Sequence, residues 1–131
     1  MTEQEIFNKY AYLFEERFKP PSDSCMCDGC AHDDGWLPLI DKLCTVIVKI
    51  DKSHLVRFTQ IKEKFGELDV HFKILNDDGK FWTSIYKLTE KYRRKSLKIC
   101  EICGKHGKKR NIDGLKKVLC TKDLLAFQSP A

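Results

Sequence analysis

The chain has 131 residues, enough for one domain and too few for two of ordinary size. Leu, Ile, Val and Phe account for 36 of them, which excludes a chain too polar to offset the entropy of ordering. The net charge of +5 is modest, and no stretch approaches the roughly 18 uncharged apolar residues of a membrane span.

Residues 2–19 are predicted to form an amphipathic helix. Thr2 and Glu5 fit a capping box, and Ile6, Phe7, Tyr10, Leu13, Phe14 and Phe18 recur at helical spacing. Pro20-Pro21 stops the helix, because neither proline can donate an amide hydrogen. The loop that follows, 20–35, carries Cys25, Cys27, Cys30 and His32, four potential ligands within eight residues and a candidate second metal site.

A second helix is predicted from about Asp34-Gly35 to Ile50, with Pro38 tolerated in its first turn and Trp36, Leu39, Ile40, Leu43, Ile47 and Ile50 on its buried side. Its end, TVIVKI, is β-branched enough to leave a strand open as the alternative. Cys44 beside the stripe reads as a small buried hydrophobe. A hairpin follows, Leu55–Glu63 and Leu68–Leu75, turning around Lys64-Phe65-Gly66-Glu67. In its second strand Leu68, Val70, Phe72 and Ile74 alternate with polar residues. Asn76-Asp77-Asp78-Gly79 is a turn, and a third helix, about 80–96, is predicted to bury Phe81, Trp82, Ile85, Tyr86, Leu88 and Tyr92.

The last third concentrates both cysteine and charge. Residues 1–90 hold 12 Lys and Arg against 16 Asp and Glu, whereas residues 91–131 hold 12 against 3. The same segment carries Cys100-Glu-Ile-Cys103-Gly104 and, sixteen residues further on, Cys120 with Asp123 three beyond it. Two thiolates two residues apart, followed by glycine, make a turn that aims both sulfurs at one tetrahedral ion. Cys100, Cys103, Cys120 and Asp123 are therefore the candidate zinc ligands, with His106 competing for the fourth place. Seven cysteines, an odd number, and their clustering favour metal over disulfides.

Around this motif lie Arg93, Arg94 and Lys95, then Lys105, Lys108, Lys109 and Arg110, then Lys116 and Lys117. Cations on a rigid turn are suited to phosphates, with salt-dependent and sequence-independent affinity. Catalysis has little support: three or four protein ligands leave no open water position, and no histidine-rich catalytic element is present. The expectation is a non-enzymatic protein with no small-molecule substrate and no membrane partner.

Asp34-Gly35-Trp36, the run Lys62-Glu63-Lys64-Phe65-Gly66-Glu67-Leu68, and Cys100-Glu-Ile-Cys103-Gly104 with the late Cys120 together resemble a family of small phage- and prophage-borne proteins. The resemblance covers roughly residues 30–123. It implies a zinc-supported α+β domain working in the cytoplasm of a bacterial host cell, and brings no reaction and no catalytic residues. Asp123 departs from the histidine of the family pattern, and the Cys25–His32 loop is richer in ligands. The overall expectation is an α+β core, 1–96, with a basic zinc-knuckle-like tail, 97–131, packed on it as one structural unit. Its partner is expected to be nucleic acid or, in the alternative, a host defence or transcription protein that it inhibits.

Overall fold

The computed structural model describes residues 1–19, 33–76 and 79–128. The fold is α+β, as the sequence predicts: among the described residues four α-helices accompany two separate antiparallel hairpins. Helix α1 spans Glu3–Lys9, with the Thr2 hydroxyl accepting the Glu5 amide at 3.2 Å. The expected helix to residue 19 ends early. Tyr10 leaves the helical region, turns carry the chain through Phe14, and a 3₁₀ turn follows at Glu15–Phe18. The Leu13 carbonyl, freed from a helix, accepts the Phe58 amide at 2.8 Å. Ile6, Phe7, Tyr10, Leu13 and Phe14 are buried as expected, but Phe18, beyond the break, is exposed.

A 3₁₀ turn at Asp34–Trp36 leads into α2, Leu37–Ile50. Leu37, Leu39, Ile40, Leu43, Cys44 and Ile47 all face the core. The β-branched end remains helical, because Ile47 is part of that buried stripe. Burial raises the Cys44 thiol pKa, in keeping with a packing role. Helix α2 ends at Asp51, whose buried carboxylate accepts the Tyr12 hydroxyl and the Leu55 and Val56 amides. That one side chain sets where the first hairpin begins.

Strands β1, Val56–Lys64, and β2, Glu67–Ile74, pair with a bulge between Phe58 and Gln60. Phe65 and Gly66 between them both have positive φ, 54° and 79°, the signature of a type I′ turn. Val56, Phe58, Ile61 and Leu68 are fully or almost fully buried, in the same apolar cluster as residues of α1 and α2.

Helix α3, Lys80–Ser96, packs on α2 and β2. Its buried line is Ile85, Thr89, Tyr92 and Ser96. Trp82 and Tyr86, expected inside, are 43% and 44% exposed. The buried face is narrower than the apolar stripe of the sequence: it follows positions 85, 89, 92 and 96, two of them hydroxyl residues whose polar groups are satisfied. The Thr89 and Ser96 hydroxyls donate to the Tyr86 and Arg93 carbonyls, and Ser96 also accepts the Leu68 amide.

The segment after α3 builds a second hairpin and a helix. Strands β3, Lys108–Ile112, and β4, Leu115–Leu119, pair across Asp113-Gly114, again with positive φ at both turn residues, and α4, Thr121–Gln128, follows. Val118 joins the main core. Among the described residues no helix is long and apolar enough to cross a membrane.

Candidate metal centre

Local backbone chemistry builds the site. The Gly104 amide donates to the Cys100 carbonyl at 2.9 Å, and the Cys100 amide to the Lys105 carbonyl at 2.7 Å. Gly104 sits at φ 79°, a turn that glycine makes without strain. Ile99 bridges to His106 and the Gly107 amide reaches the Lys98 carbonyl, so the chain doubles back and enters the second hairpin. The hairpin returns Cys120 to the knuckle, at the start of α4. Asp123 lies in the first turn of that helix, and its amide donates to the Cys120 sulfur at 3.4 Å.

Cys100, Cys103, Cys120 and Asp123 thus converge, with all four ligand atoms within 4.8 Å of one another. The Cys103 and Cys120 sulfurs are 3.8 Å apart, and Asp123 Oδ2 lies 3.2 Å from the sulfurs of both Cys100 and Cys120. A tetrahedral zinc ion requires edges of about 3.8 Å between sulfurs and about 3.5 Å from sulfur to oxygen. The donor set and its spacing therefore fit such an ion. His106, the competing ligand, is exposed and lies outside the group, because its bridge to Ile99 aligns it with the strand entering the hairpin.

The cluster's electrostatics are those of a site that trades protons for metal. Hydrogen bonds from Cys100, then Cys120 and Cys103, hold the Asp123 carboxyl below its ordinary range. For Cys103 the Lys105 amide favours the thiolate, but desolvation and the contacts with Asp123, Cys100 and Cys120 outweigh it and push the thiol to about 11. A bound divalent cation would displace these protons.

The Asp-Gly-Trp segment, expected to be a core anchor, also supports the knuckle. Trp36 is fully buried and its indole donates to the Ile99 carbonyl at 2.9 Å. The Gly35 amide donates to the Glu101 carbonyl at 2.8 Å, and a Cβ on Gly35 would lie 2.2 Å from the Cys100 carbonyl oxygen. Gly66 of the first hairpin's turn packs on the Lys116–Lys117 backbone. Glu101, 1% exposed, accepts from Lys117 Nζ at 2.9 Å and from the Val118 amide at 3.0 Å. The sequence signals that carried the resemblance thus meet at one place, the seam between core and knuckle.

The nine basic candidates do not share one fate. Lys117 lies between Glu63 and Glu101, at 3.0 and 2.9 Å, and only 19% of its side chain is exposed. Arg93 pairs with Glu67 and Glu90, Lys109 with Glu67, and Arg110 donates to the Leu119 carbonyl. Arg94, Lys95, Lys105, Lys108 and Lys116 are exposed with no acidic partner among the described residues. Lys95 lies over the Tyr92 ring. Cys25, Cys27, Cys30 and His32 lie outside the described residues. Glu101 was missed in the sequence, as no local pattern marks a carboxylate whose partners lie sixteen and more residues away. Comparison with protein-family models, curated proteins and solved structures finds no match.

Proposed function

We propose that this chain is a non-enzymatic zinc-binding accessory protein of phage or prophage type that binds nucleic acid through the cations around its knuckle. The convergence of Cys100, Cys103, Cys120 and Asp123 carries the metal half of this reading. Zinc suits three sulfurs and one oxygen better than the harder divalent cations, which take oxygen ligands. Four protein ligands close the site, giving it a structural task.

The nucleic-acid half is supported by Arg94, Lys95, Lys105, Lys108 and Lys116, which stay exposed while neighbouring cations are neutralised within the fold. Phosphate contacts of this kind give an affinity that falls with salt. Two measurements test the proposal. Elemental analysis of protein purified without added metal is expected to find zinc bound to the chain, and a metal-free protein would refute the structural zinc site. A titration with labelled DNA over a range of salt concentrations is expected to show weaker binding as salt rises. Replacing Lys105, Lys108 and Lys116 by Ala should flatten that slope by up to about three counterions; an unchanged slope would remove them as contacts.

A further inference from the structure

A groove of about 260 Å³ lies between β2 and α3. Consecutive residues of β2, from Leu68 to Phe72, form one wall, and Trp82, Tyr86 and Arg93 rise from α3 as the other. The Trp82 and Tyr86 rings stack at 5.1 Å and 9°, and Phe72 tilts against Trp82 at 5.4 Å. Two large aromatic side chains left nearly half exposed present flat apolar surface to solvent. The charged groups of the groove are already paired: His71 with Asp69 at 2.9 Å, and Arg93 with Glu90 and Glu67. Its lining thus combines aromatic surface with polar groups, Asp69, Glu90 and Arg93 among them.

About a third of a turn around α3 from these rings, on the adjoining solvent face, Lys87, Lys91 and Arg94 recur at spacings of four and three. All three are exposed and have no acidic partner among the described residues. The helical rise extends this row over about 10 Å. An aromatic shelf flanked by a row of cations is the chemistry of an unpaired nucleic-acid strand, whose bases stack while its phosphates follow the positive charge.

We infer that the β2–α3 groove is a binding site for single-stranded nucleic acid, with Trp82 and Tyr86 as the base-stacking surface and Lys87, Lys91 and Arg94 as the phosphate contacts. The inference rests on the nucleic-acid reading above and specifies a strand preference that the knuckle cations alone do not supply. The row of cations favours this occupant over an apolar peptide, which would leave Lys87 and Lys91 without a counterpart.

The test uses fluorescein-labelled oligothymidine and a duplex of the same length, at fixed salt, with the full zinc-loaded chain. The second tryptophan, Trp36, is fully buried, so quenching by a bound base reports on Trp82. Oligothymidine is expected to quench the emission. The double variant Trp82→Leu/Tyr86→Leu should bind it at least about tenfold more weakly, with duplex affinity unchanged. Trp82→Tyr, which keeps a ring, should retain most of the binding, separating loss of stacking from loss of fold. If the double variant binds oligothymidine as the wild type does, the groove is not the base site, although nucleic-acid binding through the knuckle stands. Should the wild-type protein bind neither strand form at low salt, both readings fall, and the groove is left to a polypeptide partner.

Discussion

Gly35 shows how one small side chain can govern the site from outside it. Its amide donates to Glu101, and its α-carbon lies so close to the knuckle that a methyl group would sit 2.2 Å from the Cys100 oxygen and 2.4 Å from the Glu101 carbonyl carbon. Those atoms are backbone and cannot rotate away. Gly35→Ala is therefore expected to cost about 3 kcal/mol, by pushing the knuckle off Trp36 or distorting the Cys100 ligand. Urea unfolding and zinc affinity should fall together; a variant with wild-type values for both would show that the two segments do not bear on each other. By contrast, a Cβ on Gly104 would lie 3.0 Å from the Gly35 carbonyl oxygen and the residue has φ 79°, so its constraint is conformational as well as steric. The sequence marked Cys100-x2-Cys103-Gly104 as chemistry and Asp34-Gly35-Trp36 as packing. Their contact, between residues more than sixty positions apart, has no expression in either motif. What local spacing conveys is the geometry of a turn, not what the turn rests on.

Among the elements, legibility follows how far each pairs apolar periodicity with burial. Helix α2 and strand β2 were readable because each has one face in the core and one outside. Strand β3, Lys-Lys-Arg-Asn-Ile, offers almost no apolar alternation, and the two buried residues of β4, Val118 and Leu119, are adjacent. Asp113-Gly114, a strong hairpin turn pair, was the available signal. Helix α4 buries no residue and so left no stripe to read.

At the first hairpin the turn residue Phe65 is in the left-handed region at φ 54° and 68% exposed, where it gains little from burial. Phe65→Asn, which supplies the favoured Asn-Gly pair, should stabilise the protein by about 1 kcal/mol, read as a higher urea midpoint with the same slope. A loss of stability would indicate that the exposed ring makes a contact worth more than the backbone strain.

The attachment of α1 to α2 should be sensitive to acid. Asp41 accepts from the Tyr10 hydroxyl at 2.7 Å and from Lys9 at 3.2 Å, and these interactions, the tyrosine first, lower its pKa from an ordinary 3.8. Its ionised form is thus favoured in the folded state. The contribution is complete above pH 3.8 and disappears as pH falls through the lower folded value. The difference in melting temperature between wild type and Asp41→Asn is expected to be constant near neutrality and to shrink in acid; a difference that widened there would reverse the assignment.

For the whole molecule, the decisive question is whether the metal centre is an appendage or part of one cooperative unit. The seam favours the second. Trp36 and Gly35 hold the Ile99 and Glu101 carbonyls, the Glu101 amide donates to the Val118 carbonyl at 3.0 Å, and Lys117 joins Glu63 of the first hairpin to Glu101 of the knuckle. Val118 is in the same apolar cluster as Phe58 and Ile40. Helix α4 is the exception, since it buries nothing and exposes Leu125 and Phe127; it is tied to the rest through Cys120 and Asp123. A ligand that binds only the native state stabilises it by mass action, about 4 kcal/mol when its free concentration is a thousand times its Kd. If zinc occupies the site as proposed, removing it with a chelator should do two things at once. Amide exchange should quicken first in α4, which loses its tether, and the main melting transition should shift downward as a single step, because the knuckle backbone is part of the core's own hydrogen bonding. Two separated transitions would instead make residues 97–128 an independent unit, and an unmoved main transition would mean that the metal organises α4 alone.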